Sequence, residues 1–333
     1  MLNIEAPSAA PFTPAARTAL QVLASHLAVA IENATLYREA RWYAGLLATL
    51  HEIGKETSSI LDLDVLLQRL AEIVRRVVEN ARLYDEIVRN DARLSRELRI
   101  ARDIQAALFP EGSPRGAGWE ASAHFRPARE LGGDLYDFYD MGEGLLGVAT
   151  GDVAGKGVPA ALYAAYASGA IRARAYERRA PADLMQRVNR TLRRRGIEGL
   201  FCTLAYALFD FQEQSLRLAN SGLPHPFHYR AGSGRALPLD VSGLPLGTFD
   251  GVTYDELKAE LAAGDAVVFY SDGVIEARRG REEYGAERLC RGLEENASRS
   301  AAEIGERLIA DLEGFLGDET PHDDVTLIVV KIL

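Results

Sequence analysis

With 333 residues, 47% of them apolar and 26% charged, the chain can hold one large domain and a smaller module, and its make-up is that of a globular protein rather than a disordered or fibrous one. A net charge of −10 argues against a general nucleic-acid binder, because a grip on phosphate backbones needs a surplus of Lys and Arg. The two cysteines, Cys202 and Cys290, have no CxxC or Cys/His spacing, so neither a disulfide framework nor a zinc site is suggested. The first residues lack a basic segment followed by an apolar one, and the most apolar stretch, 157–171, is short and broken by Pro159, Tyr163, Tyr166, Ser168 and Gly169. No leader and no membrane span are expected, and the expected location is the cytoplasm.

In chain order, Leu20, Val22, Leu23, Leu27, Val29, Ile31 and Leu36 predict a helix over 15–40, and a second helical stretch covers about 43–58. A third begins after Leu61-Asp62-Leu63-Asp64, where Asp62 or Asp64 can cap it. From Glu79 to Leu108 there is no Gly or Pro, and Leu83, Ile87, Leu94, Leu98, Ala101, Ile104 and Leu108 fall three, four or seven apart. This long helix suits a two-helix or coiled-coil seam, weakened by Asp91 and Gln105, or an amphipathic helix packed on its own domain.

One internal repeat is present: AIENATLYREA (30–40) returns as VENARLYDEIV (78–88). Both segments resemble the closing helix of a GAF sensor domain, and LATLHEIGKETSSILDLDVLLQRLAEIVRRVV resembles the opening helices of another. Val78 runs straight into Glu79, leaving no room for the sheet that carries a GAF ligand pocket. The implied organisation is a GAF remnant at 1–41, a helical GAF-like remnant without its core at 42–90, and a linker or regulatory helix at 91–112. An independent helical hairpin module is the alternative.

Beyond FPEGSPRGAG the texture changes to short β-rich runs, at 119–126, 135–139, 145–153, 201–209, 215–220, 227–229, 266–271 and 325–332, mixed with helical runs at 158–178, 181–195, 285–296 and 300–316. Without strict alternation, this mixture favours an α+β layered sandwich over a doubly wound parallel sheet. Four motifs put carboxylates at ends of β-rich runs: Gly132-Gly133-Asp134, Gly151-Asp152-Val153, Ser271-Asp272-Gly273 and His322-Asp323-Asp324. Short Asp side chains from neighbouring strand ends can converge on one point while Gly lets the backbone turn beside them. Oxygen-only donors suit Mg²⁺ or Mn²⁺, and a pair of such ions can activate a water for attack at phosphorus. Asp137 and Asp140 read as solvated turn residues. Lys156 reads either as a phosphate contact or as part of the entry to the next helix.

Competing readings fail on context. The run GVATGDVAGKG lacks the Gly and Ser/Thr of a phosphate-binding loop at Thr150 and Gly157, GGDLY lacks the Glu-Phe of a nucleotide cyclase, and the histidines are not spaced for an HD phosphodiesterase.

The succession FRPARELGGDLYDF, ATGDVAGKGVPAALYAA, FCTLAYALFD, GLPLGTF, GDAVVFYSDGVIEA and HDDVTLIVV resembles the phosphatase domain of the sporulation protein E and sigma-B regulator U families, a bacterial branch of the metal-dependent PP2C-type serine/threonine phosphatases. The resemblance covers about 98–333. It implies a phosphatase domain over 113–333 with two antiparallel sheets flanked by helices and two divalent cations, Mn²⁺ or Mg²⁺. By motif position Asp152 would bridge both ions, the Val153 carbonyl and Asp134 would serve the first, and Asp272 and Asp323 would complete the second. Asp324, Lys156 and Asn220 would stand behind or beside these ligands, and the nucleophile would be a metal-bound water. Gly133, Gly151 and Gly273 would be backbone requirements. The implied substrate is a phosphorylated STAS-domain antagonist of an anti-sigma factor, and ELRIARDIQAALFP resembles the family's regulatory element in a homodimer joined through N-terminal helices. A catalytically weak scaffold with a phosphatase-like fold is the alternative, against which the intact aspartates count. The run NSGLPHPFHYR departs from the family's Asn-Ala-Gly-His-Pro: Ser221 replaces Ala and Leu223 stands at the His position, which puts substrate orientation there in doubt.

Overall fold

The structure, a computed structural model, describes residues 63–333. The helices expected at 15–40 and 43–58, the GAF-like remnant at 1–41 and the first part of the one at 42–90 lie outside the described residues. The chain divides into two units, Met1–Asn90 and Asp91–Leu333. The described part of the first unit is helical and belongs to α1 (Leu63–Ala106). It leaves Val74, Val77, Val78, Leu83 and Ile87 exposed.

In the second unit α1 continues to Ala106, two residues short of the expected end. The chain then tightens, with Leu108 N–H donating to the Gln105 carbonyl at 3.0 Å and Phe109 N–H to Ala106 at 3.2 Å. Pro110, which cannot donate, follows. Leu98, Ala101, Gln105 and Leu108 form the less exposed line of this segment, while Leu94 and Ile104 remain exposed.

The rest is a four-layer α–β–β–α sandwich. One sheet has the order β3-β4-β5-β6-β9, from β3 (Leu135–Asp140), β4 (Leu145–Val153), β5 (Cys202–Asp210), β6 (Ser215–Asn220) and β9 (Leu257–Glu260). The other has the order β1-β2-β13-β10-β7-β8, from β1 (Arg115–Gly116), β2 (Trp119–Arg126), β13 (Val325–Ile332), β10 (Ala266–Tyr270), β7 (Phe227–Arg230) and β8 (Arg235–Pro238). All pairings are antiparallel. A small hairpin, β11 (Arg278–Arg279) with β12 (Glu282–Glu283), stands apart.

Strand periodicity explains the layering, since alternate residues face opposite sides. On β13, Ile328, Val330 and Ile332 meet the other sheet, while Val325, Leu327 and Val329 meet α5 (Ala286–Asn296) and α6 (Ala301–Leu316). On β10, Val267 and Phe269 point inward between the sheets, and Ala266, Val268 and Tyr270 face the helices. The opposite flank is covered by α2 (Val158–Ala175) and α3 (Pro181–Arg194), which bury Ile171, Leu184, Met185, Val188 and Leu192 against β3, β4 and β5. Both faces of the central strands are buried, so they read as continuous apolar runs.

Helix boundaries have local causes. Ser300 caps α6 in a reciprocal capping box: its hydroxyl accepts from Glu303 N–H and the Glu303 carboxylate accepts from Ser300 N–H. Entry to α2 uses Gly157 at φ 73° followed by Val158-Pro159. The strand expected over 266–271 ends at Tyr270, and Ser271 stands at the N-cap position of the one-turn helix α4 (Asp272–Ile275), its hydroxyl engaged with β13 and the residue before it rather than with the helix.

The two sheets touch through an edge-to-face pair, Phe209 on β5 and Phe269 on β10, with centroids 6.3 Å apart and planes at 71°. Both are fully buried. Phe269→Ala is expected to cost about 3–5 kcal/mol, read as a lowered urea midpoint.

Candidate active site

All the sequence-predicted carboxylates lie at one end of the two sheets. Register pairs Leu135 with Gly151, so Asp134, just before β3, and Asp152, near the end of β4, occupy neighbouring strand ends. The other sheet supplies Asp272, two residues beyond β10, and Asp323 and Asp324, just before β13. Antiparallel pairing of Tyr270 with Leu327 puts these segments side by side.

Electrostatics records the convergence. Burial pushes the Asp134 carboxyl well above the usual carboxylate range, and the charge of Asp152 adds to the shift, against hydrogen bonds from Thr326 and Ser271. Asp152 is raised to about 6 by burial, then by the charges of Asp272, Asp323 and Asp324. Asp272 is raised by burial and by Asp323 and Glu276, with Lys156 acting in the opposite sense. Each group resists ionisation first because it is withdrawn from water and then because its neighbours carry the same charge.

Hydrogen bonds tie the two sheets together at this end. Thr326 on β13 donates its hydroxyl to Asp134. One oxygen of Asp324 accepts from Gly133 N–H at 2.6 Å, the other from Ala128 N–H at 2.8 Å. Ser271 donates to the Asp324 carbonyl at 3.1 Å and accepts from Thr326 N–H at 3.0 Å. Asp324 therefore fixes the loop that carries Asp134. Lys156, half exposed on the loop between β4 and α2, donates to Asp323 at 2.9 Å and to the His322 carbonyl at 3.1 Å.

The glycines of the motifs serve close approach rather than unusual turning, for none of Gly132, Gly133, Gly151 and Gly273 has a positive φ. A Cβ on Gly273 would lie 2.0 Å from the Asp324 carbonyl oxygen, and one on Gly133 would lie 3.0 Å from the Val153 carbonyl oxygen. The same end therefore presents a backbone oxygen beside Asp152.

The donors are carboxylates and a carbonyl, which is hard-cation chemistry. Among the described residues no three Asp, Glu, His or Cys side chains stand close enough to cage an ion by themselves. To hold such an ion these side chains would have to draw closer together, with water and carbonyl oxygen completing the shell.

Other residues behave differently from expectation. Asp137 is no solvated turn residue: it lies inside β3, 5% exposed, and accepts from Arg172 Nε at 3.0 Å and Nη2 at 2.7 Å. Alternation with Leu135 and Tyr139, which both pack under α2, places Asp137 on the helix-facing side. Asp140 does sit at a turn, accepting from Gly142 N–H. Asn220 spends its amide on the Leu223 backbone, accepting from its N–H at 3.0 Å and donating to its carbonyl at 2.8 Å, which closes that loop. Leu223 fills the core between the sheets, so the departure at this position is met by packing. The loop reaches the site indirectly: Gly222 lies against Thr203, whose hydroxyl donates to the Asp152 carbonyl at 3.2 Å.

Gln105 was expected to weaken a coiled-coil seam. Instead it is buried in the last turn of α1, donating to the Gly132 carbonyl at 2.7 Å and accepting from Gly132 N–H at 3.2 Å. The last turn of α1 thus holds the Gly132-Gly133-Asp134 loop through a two-way amide clamp. Arg172 adds a second tie, donating to the Leu108 carbonyl at 2.9 Å while paired with Asp137. The available signal for Gln105 was a polar residue in line with Leu98, Ala101 and Leu108.

Comparison with known proteins bears on the family and the fold. A family model for stage II sporulation protein E (SpoIIE) matches residues 142–333, more than half of the chain. Phosphoserine phosphatase RsbU of Bacillus subtilis is 29% identical over 235 residues, covering 71% of this chain and 70% of RsbU. Protein IcfG of Synechocystis is 27% identical over 263 residues, and there the chain spans only 41% of the relative. Among solved structures, the SiaA PP2C domain of Pseudomonas aeruginosa superposes with a TM-score of 0.64 at 21% identity, covering 73% of this chain and 98% of that domain. The fold is that of the PP2C phosphatases. The chain belongs to the SpoIIE family of PP2C-type serine/threonine protein phosphatases.

Gln105→Ala removes both bonds to Gly132 without touching a carboxylate. Phosphatase activity is expected to fall about tenfold or more, with the circular dichroism spectrum unchanged.

Proposed function

We propose that this chain hydrolyses phosphoserine or phosphothreonine on a protein partner, and that the partner is a STAS-domain antagonist of an anti-sigma factor in a partner-switching pathway. The observation that carries the reading is the convergence of Asp134, Asp152, Asp272 and Asp323 from two sheets, close enough for most of them to raise one another's proton affinity. Similarity to phosphoserine phosphatase RsbU supports the reaction, and the family resemblance of the motifs supports the substrate.

Two divalent cations, Mn²⁺ or Mg²⁺, would be held by Asp152, the Val153 carbonyl and Asp134 on one side and by Asp152, Asp272 and Asp323 on the other. When bound, such ions supply Lewis acidity and make a water nucleophilic at neutral pH. The chain's own part is to fix positions. Asp324 and Gln105 hold the Asp134 loop, Ser271 and Thr326 fix the ends of β10 and β13, and Lys156 sets a cation at the rim beside Asp323 for a phosphoryl oxygen.

The exposed Leu83, Ile87, Leu94 and Ile104 of α1 support homodimerisation through this helix. Free Cys202 and Cys290 are in keeping with a cytoplasmic setting. Among the described residues, no helix is long and apolar enough to cross a membrane.

The test is Mn²⁺-dependent hydrolysis of a phosphoserine protein and of an aryl phosphate by wild type, Asp152→Ala and Asp272→Ala. The variants are expected to lose at least about a hundredfold in rate. Equal rates in all three would leave a non-catalytic scaffold as the function.

A further inference from the structure

In a chain with net charge −10, one surface runs the other way. Between α5, α6 and the β11–β12 hairpin lies an open groove of about 680 Å³ lined by Arg279, Arg288, Arg291 and Arg307, with Phe315 at its base. The carboxylates that face it are Glu295 and Asp311, so its lining is positive on balance. Asp311 is engaged by the Tyr284 hydroxyl, which donates to it at 2.7 Å.

The arginines are held in different ways. Arg279 and Arg288 both lie over the Phe315 ring, 5.0 and 4.6 Å from its centroid. Each cation is drawn to the ring, yet the two guanidinium groups carry like charge and repel one another. Arg288 is also paired with Glu282 and donates to the Glu283 carbonyl at 3.1 Å. Arg291 and Arg307 are exposed, and among the described residues neither stands within ion-pairing distance of a carboxylate. Four planar donor groups around a concavity, two of them outside any ion pair among the described residues, form a receptor for carboxylate or phosphate groups.

The groove adjoins the carboxylate cluster by way of the hairpin. Arg278 lines a crevice of about 170 Å³ with Gly273, His322 and Asp323, whereas its neighbour Arg279 lines the arginine groove. Consecutive strand residues face opposite sides, so the hairpin is the ridge between the two depressions. A polypeptide leaving the aspartate end through the crevice crosses that ridge into the groove. The Phe315 ring is already engaged by two guanidinium groups, and the groove is open rather than enclosed.

We infer that the arginine groove docks an acidic segment of the protein partner, apart from its phosphorylated residue. The inference rests on the reading that the substrate is a protein, and it makes electrostatic docking a source of substrate selectivity. Charge reversal at Arg291 and Arg307 removes the unpaired cations while leaving the aspartates, Lys156 and Gln105 alone.

The experiment uses the full chain and a fluorescein-labelled Asp/Glu-rich peptide without phosphate, followed by anisotropy, beside a neutral peptide of the same length. Wild type and R291K/R307K are expected to bind the acidic peptide saturably. R291E/R307E is expected to bind it about tenfold more weakly, and raised salt should weaken binding to wild type. Aryl phosphate hydrolysis should be the same in all three proteins, which also shows that the variants fold. Equal peptide affinity in wild type and R291E/R307E would overturn the inference, as would equal binding of the neutral peptide. Binding of tripolyphosphate without binding of the peptide would also overturn it, in favour of a small-anion site. Absence of aryl phosphate hydrolysis in wild type would count against the proposed reaction, while the peptide result would still stand on its own.

Discussion

Withdrawal of carboxylates from water, compounded by their mutual repulsion, is the constraint on which this end of the molecule is built. Asp134 is 2% exposed with Asp152 beside it, and Asp272 and the half-exposed Asp323 act on Asp152 in turn. Removing such groups from water disfavours their charges, and putting them side by side disfavours them again. The surrounding protein supplies only partial relief, through hydroxyls of Ser271 and Thr326 and the ammonium of Lys156. A fold that carries this arrangement gives up stability at one place in order to hold cation-binding groups in position.

The sandwich tolerates the arrangement because the anchors lie elsewhere. Three apolar layers, one between the sheets and one under each helical pair, are fully buried. The loops at the aspartate end are then fixed by hydrogen bonds that cross from one sheet to the other, Asp324 to Gly133 and Thr326 to Asp134. Gln105 and Arg172 extend the network to the last turn of α1 and the residues after it. A shift of that turn would act on the Gly132-Gly133-Asp134 loop directly. This is a physical route by which a helix outside the sandwich can govern the site.

Much of the sandwich was legible in the sequence. Strands buried on both faces appear as unbroken apolar runs such as VTLIVV, and the four Asp motifs stood at the strand ends. The strands not foreseen, β1, β8, β9, β11 and β12, are short, polar or at sheet edges, and they exist through pairing with a neighbour rather than through a pattern of their own. The residues that organise the site were harder to see. Gln105 acts on Gly132 across 27 positions, and Thr326 acts on Asp134 across 192. No local spacing announces contacts of that range. Asp137 was misread because a charged residue between aromatic neighbours looks like a turn until the partner, Arg172 on α2, is in place.

The central claim is that the carboxylate cluster strains the fold until cations balance it. Its most direct test is the urea midpoint of wild type and Asp152→Asn at pH 8, each with chelator and with Mn²⁺. Burial and neighbouring charges disfavour the ionised Asp152 in the folded chain. In chelator the Asn variant should therefore be the more stable, by roughly 1–2 kcal/mol. With Mn²⁺ the order should reverse, because only wild type keeps the group proposed to bridge the ions. A wild type more stable than the variant in chelator, or midpoints that ignore Mn²⁺ in both, would contradict the account.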